Sequence, residues 1–439
     1  MGAQGAIEAQ VMRKVMWRLL PFLMLCYLMA FIDRTNVGMA SLQMNADIGL
    51  SSTVFGFGAS LFFVAYFLME VPSNLMLQKV GARFWIARIM ISWGLVSTAM
   101  SLVWNAESFY VMRFALGIAE AGFFPGIILY LTYWMPPGYR GRTLALFAFA
   151  IPVSSFIGSP LSGLLLAMDG IAGLRGWQWL FILEGLPTVM LGVACLKMLT
   201  DRPDDASWLD DEEKAWLNSA LAATGSSKPL VHGSAWRLAV TPAFWAMVIA
   251  CSGASAAGSM LSVWQPQLLK SFGLTDLQTG LVNSIPYGIA SVAMILWGRH
   301  SDRTNERRWH TALPLMLITL GAVGTFVVTG LVPTVMLLTF VLVGAYCFKG
   351  PFWSMASTWL SGSTAAAGIA AINATSNLIG GGLMVNAYGF IHEATGSYVL
   401  ALTPLAGLTL MSAAAVIYVG RTAKKHAVER PGLSGGRLV

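Results

Sequence analysis

The sequence predicts an all-α membrane protein: twelve transmembrane helices arranged as two six-helix bundles. Three observations carry this. Of 439 residues, 56% are hydrophobic and only 11% charged, against about 25% charged in a soluble domain. The apolar runs last about 20 residues, the helical length that crosses a hydrocarbon core, and they lack the period-two alternation of a membrane barrel. A polar stretch near the midpoint then separates six runs from six.

The first run, 17–40, follows a short basic segment and has no small-residue cleavage pattern, so it reads as a retained helix rather than a signal peptide. Runs at 52–78, 84–104, 107–135, 142–168 and 177–199 complete an N-terminal bundle spanning 1–199. Residues 200–240 carry the acidic stretch from Asp201 to Glu213 and Gly225-Ser226-Ser227, and read as a linker, part helix, beside the membrane. The second bundle, 241–420, holds runs at 241–269, 276–298, 311–331, 333–361, 365–392 and 396–420, followed by a tail at 421–439.

Charge sets the topology. Of 27 Lys and Arg, only Arg34, Arg113 and Lys349 sit well inside spans, while Arg175 and Lys270 lie near outward turns. The rest gather at the termini, in the linker and near loops 2–3, 4–5 and 8–9. The positive-inside rule makes that face cytoplasmic, with both termini on it, in a cell inner membrane. The net charge of +7 thus follows one membrane face and does not call for nucleic acid. Cys26, Cys195, Cys251 and Cys347 fall within spans and show no metal spacing. They read as packing residues, and no metal or other cofactor is expected.

Two charged clusters interrupt the apolar runs: Asp33-Arg34 with Asn36, and Arg113 with Glu120. A charge at the centre of a spanning helix costs roughly 2.5–3.5 kcal/mol on insertion scales, so each cluster needs a partner, a cavity or a substrate. Arg113 and Glu120 are seven apart, two turns and about 10 Å along one face. That is too far for a direct ion pair. Asp33 and Arg34 point about 100° apart on a helix, so each needs its own surroundings. Burial tightens proton binding to a carboxylate and a nearby cation loosens it, so two acids with two arginines point to proton movement coupled to anion movement. The alternative is a buried ion network that only joins helices. In the second half, Lys349 lies near the midplane before Gly350-Pro351-Phe352-Trp353. It must bind an anion, pair with Asp33 or Glu120, snorkel, or bond to local backbone.

Four segments carry a family resemblance: RFALGIAEAGFFPG at 113–126, DRTN at 33–36, EVPSN at 70–74 and GWQWLFILEG at 176–185. Together with the two-half plan, they resemble the anion:cation symporter family of the major facilitator superfamily. Bacterial galactonate, hexuronate, tartrate and phthalate carriers belong to it, as do vesicular glutamate transporters and sialin. The resemblance implies two halves rocking around a midplane site and uptake of organic anions, in bacteria usually with protons. It places a proton-titrating acid at Glu120, an anion-related arginine at Arg113, a second protonation site at Asp33 and a carboxylate clamp at Arg34. It also makes Tyr66 and Gln265 pocket candidates. Asn373 and Asn377, one turn apart, suit substrate hydroxyls or helix–helix contacts, and Trp353 suits stacking or packing. GRHSDR at 298–303 resembles the superfamily's loop motif, which makes Asp302 and Arg303 gating candidates or topology-setting charges. The matching GAR at 81–83 keeps Arg83 but lacks the Asp.

The expectation is a proton-coupled uptake carrier, without an obligate protein partner, for a small organic anion. A sugar acid or a hydroxy-dicarboxylate such as tartrate fits two separated cations, Arg34 and Lys349. An aromatic acid, or exchange not driven by protons, is the alternative.

Overall fold

The computed structural model describes residues 3–222, 241–359 and 365–428, and no strand occurs among them. The second part of the expected linker, the end of the expected span 333–361 and the tail beyond 428 lie outside the described residues. Among the described residues, eleven helices are long and apolar enough to cross a membrane, and the apolar 17-residue helix Arg308–Gly324 completes twelve.

The first half consists of α1 (Ala3–Asp47), α2 (Ser52–Val80), α3 (Ala82–Ala99), α4 (Ala106–Glu120), α5 (Phe123–Thr132), α6 (Pro137–Leu166) and α7 (Gly176–Met198). Helix α1 runs well past its expected span at both ends. Its 45 residues cover about 68 Å. Ser51 opens α2 by accepting the Val54 amide on its hydroxyl, and Asn105 opens α4 through a reciprocal capping box with Ser108. Small residues set the spacing of α3 and α7: a Cβ on Gly94 would lie 2.8 Å from the Val189 nitrogen, and one on Gly185 2.7 Å from the Thr98 nitrogen. Neither glycine has room for a side chain.

The fourth span is two helices. After Glu120, Ala121 turns to ψ 132° and Gly122 takes φ 88° before α5 begins. Glycine adopts that left-handed conformation without a Cβ penalty, and Pro125 lies in the first turn of α5, where its missing N–H costs nothing. Glu120 is therefore the last residue of a broken helix, at the negative end of its dipole.

Then come α8 (Asp211–Ala222), α9 (Pro242–Lys270), α10 (Asp276–Thr304), α11 (Arg308–Gly324), α12 (Leu331–Cys347), α13 (Lys349–Trp359), α14 (Ala365–Asn377), α15 (Val385–Thr395) and α16 (Thr403–Val428). A π-helical segment, Leu378–Met384, joins α14 to α15. Such wide turns often accompany functional sites.

Two compact units emerge. One contains residues 3–222, 261–288 and 389–396; the other contains 241–260, 289–359, 365–388 and 397–428. Within the first, the ends of α9, α10 and α15 are stitched to helices from the start of the chain. Gln43 donates to Asp276 (2.8 Å), Gln267 to Ser41 (2.8 Å) and Asn283 to Ser159 (2.8 Å). Glu393 accepts from the Ser51 hydroxyl and the Thr53 amide. Gly38 lies so close to α9 that a Cβ would meet the Ser262 carbonyl at 2.3 Å.

Candidate functional site

The charged centre of the first unit is an ion pair between α1 and α4. Arg34 donates from Nε (2.6 Å) and Nη2 (2.5 Å) to one oxygen, Oε1, of Glu120. The Glu120 side chain is fully buried, whereas that of Arg34 is 26% exposed. Aromatic rings surround the guanidinium, with its carbon 5.0 Å from the Phe31 ring centre, 5.1 Å from Tyr66 and 5.8 Å from Phe62. Arg113 reaches the other arginine's neighbour: its guanidinium carbon is 5.0 Å from the same Phe62 ring, and Nη2 donates to the Ala59 carbonyl at 3.2 Å. Cation–π attraction of this kind contributes about 2 kcal/mol or more where water is excluded. One phenyl ring thus faces two arginines. Among the described residues, Arg113 Nε and Glu120 Oε2 have no hydrogen-bond partner.

Asp33, 2% exposed, faces away from Arg34 as helical geometry requires. It accepts from Asn36 Nδ2 (3.0 Å), from Trp93 Nε1 (2.6 Å) and from the Ser97 hydroxyl. Three donors from α1 and α3 suit a carboxylate. Arg113 interacts electrostatically with both Asp33 and Glu120, which links the two acids. The two expected clusters therefore form one network.

The sequence did not reveal the partner of Arg34, because the contact joins residues 86 apart. Phe62, Trp93 and Ser97 were also missed; they read as ordinary apolar or small residues of a span. The break at Gly122 did have a signal, the glycines and proline of GFFPG.

Of the remaining expected residues in this unit, Tyr66 is brought to Arg34. Gln265 is wholly buried and donates weakly to the Asn283 carbonyl at 3.5 Å, its own oxygen having no partner among the described residues. Arg83 is exposed, and its backbone N–H donates to Asp201 (2.8 Å). The acid missing from GAR is supplied from the segment that follows α7, at the N-terminus of α3, where a carboxylate is favoured.

In the second unit, Lys349 opens α13 with its ammonium 5.0 Å from the Tyr346 ring centre. Trp353 meets Phe352 edge-on. Asn377 accepts from the Ser255 hydroxyl at 2.8 Å immediately before the π segment, and Asn373 is half-buried one turn earlier. A Cβ on Gly380 would lie 2.6 Å from the Ala256 nitrogen, so α9 presses directly on this segment. Asp302 is 73% exposed and pairs with Arg307 at 2.8 Å; Arg303 is exposed beside it.

A family model described as the Major Facilitator Superfamily matches residues 23–385. The chain belongs to that superfamily. It is 48% identical over 419 residues to an Agrobacterium vitis protein named "Putative tartrate transporter", covering 95% of this chain and 93% of the relative. It is 40% identical to the "Quinolone resistance transporter" of Acinetobacter baumannii, covering 92% of this chain and 94% of the relative. Among solved structures, a bacterial homolog of the human lysosomal transporter Spinster superposes with a TM-score of 0.77 at 16% identity, covering 93% of this chain and 97% of that one. This superfamily member is a multi-pass membrane transporter and not an enzyme.

Proposed function

We propose that this protein is a proton-coupled symporter that takes up a small organic anion, most simply a hydroxy-dicarboxylate such as tartrate, across a cell inner membrane with both termini in the cytoplasm. The observation that carries the reading is the Arg34–Glu120 pair: a fully buried acid held by a guanidinium that is itself partly exposed. In this reading Arg34 alternates between two carboxylates. A proton on Glu120 cancels the charge that holds Arg34, and the freed fork clamps the carboxylate of the substrate. The anion then replaces the charge that Glu120 lost. The balance of charge around Arg34 is the same before and after, so neither state leaves a buried cation uncompensated, an imbalance that costs about 3–5 kcal/mol.

Asp33 is a second proton carrier, and Arg113 couples it to Glu120. In the first unit Tyr66 and Gln265 contact the substrate; in the second, Lys349 supplies positive charge for an acidic group, with Asn373 and Asn377 for hydroxyls and Trp353 for stacking. Arg83, Asp302 and Arg303 serve gating. The relative named for tartrate supports the choice of substrate class, and the loop charges support the orientation.

Purified protein in liposomes is expected to accumulate tartrate when the outside is acidified, and Glu120→Gln should abolish that accumulation while sparing exchange of labelled for unlabelled anion. Accumulation by the variant equal to wild type would remove Glu120 from coupling. No response of wild type to the proton gradient would replace symport with exchange.

A further inference from the structure

Another buried acid lies outside this scheme. Glu184 of α7 is 1% exposed in the interior of the first unit. Its Oε1 accepts from the Ser162 hydroxyl of α6 at 2.8 Å, and its Oε2 has no hydrogen-bond partner among the described residues. Asn36, also 1% exposed, gives its Nδ2 to Asp33 and makes a polar contact with Glu184 that falls short of a hydrogen bond. Its own Oδ1 is likewise without a partner. Two acceptor oxygens without donors thus sit on adjacent, fully buried side chains. A single O–H would satisfy one of them, and Glu184 is the only one of the two side chains that can carry it.

The surroundings of the two carboxyls differ in kind. Asp33 is met by three donors and by the charge of Arg113. Among the described residues Glu184 accepts from one hydroxyl and forms no ion pair: α1 presents Asp33 and Asn36, α6 presents Ser162, and α3 carries Arg83 and Arg88, neither of which pairs with it. The Asp33 charge, by contrast, acts on it. Two carboxylates that act on each other's charge in a dry interior do not both ionise readily.

We propose that Asp33 and Glu184, bridged by Asn36, form a second proton store in which Glu184 carries the proton while Asp33 is ionised. The two acids titrate as a pair. Transfer of the proton from Glu184 to Asp33 leaves a carboxylate at Glu184 and a neutral acid at Asp33, so charge beside Arg113 changes without an ion crossing the protein. This deepens the proton-coupled reading above and rests on it.

The test is infrared difference spectroscopy of the purified full-length protein in lipid, titrated with pH, on wild type, Glu184→Gln and Asp33→Asn. A carboxylic-acid carbonyl band, distinct from those of Glu120 and Asp33, is expected in wild type and missing in E184Q. In D33N the band should persist with its midpoint moved by about tenfold in proton concentration, the size at which paired acids become coupled. A full band in E184Q overturns the proposal, and so does an unmoved midpoint in D33N. The D33N measurement keeps Glu184 and stands even where E184Q fails to fold. Liposome uptake by the same wild-type preparation separates the two readings: pH-driven accumulation with an unmoved D33N midpoint rejects the proton store and leaves symport standing, whereas accumulation indifferent to pH rejects symport itself.

Discussion

Arg34 donates two hydrogen bonds to a single oxygen of Glu120 while lying among Phe31, Phe62 and Tyr66. A lysine has the same charge but neither the fork nor the flat face that fits between rings. Arg34→Lys is therefore expected to raise KM for the anion about tenfold or more, the equivalent of losing one charged hydrogen bond, with a smaller change in kcat. Transport kinetics with an unchanged KM would show that the planar geometry is not used. At this scale the sequence was legible where charges clustered in an apolar run: Asp33, Arg34, Arg113 and Glu120 announced themselves by their cost. It was silent on partners. Trp93 and Ser97 hold Asp33 through polar atoms that a hydropathy pattern cannot distinguish from packing, and Glu184 had no second charge near it in its span to mark it.

Helices were predicted well by length and composition, because a bilayer of fixed thickness leaves little choice. Interruptions were not, since a run such as GIAEAGFFPGII stays apolar through the break that places Glu120 at the end of α4. The break depends on Gly122, whose φ of 88° is unfavourable for any residue with a Cβ, and a Cβ there would also meet Ser73 Oγ at 2.3 Å. Gly122→Ala should lower stability by more than the roughly 1–2 kcal/mol of a left-handed residue alone, read as a fall in Tm in detergent. Adding Ser73→Gly should recover the steric part and not the backbone part. Full recovery would mean that the conformation of Gly122 is unimportant.

Across the whole molecule, contacts between distant parts of the chain tie the linker to the first helix. Glu213 of α8 pairs with Lys14 at 2.5 Å and accepts at 2.9 Å from Gln10, 203 residues away in sequence. Burial alone would push the Glu213 carboxyl up, but Lys14, the Asp210 backbone N–H and Gln10 together hold it below its ordinary value of 4.5. A carboxyl depressed by folding contributes stability above its unfolded value and loses it as pH falls through the folded one. The Tm difference between wild type and Glu213→Gln is thus expected to be full at neutral pH and to close as pH is taken below 4.5. A difference that is constant with pH would assign the effect to packing. None of this docking was readable in advance: an acidic stretch between bundles looks the same whether it hangs free or is held.

Helix α1 meets α8 through Lys14, carries Asp33, Arg34 and Asn36 in its middle, and reaches Asp276 and Trp177 through Gln43 and Asp47. Each of those contacts depends on a count of residues. One residue inserted between Lys14 and Asp33 would turn everything beyond it by about 100°, so Arg34 could not face Glu120 while Lys14 still faced Glu213. Loops of this chain can change length at little cost, but α1 cannot. Its length in residues is part of its specification, as strict as the identity of any side chain on it.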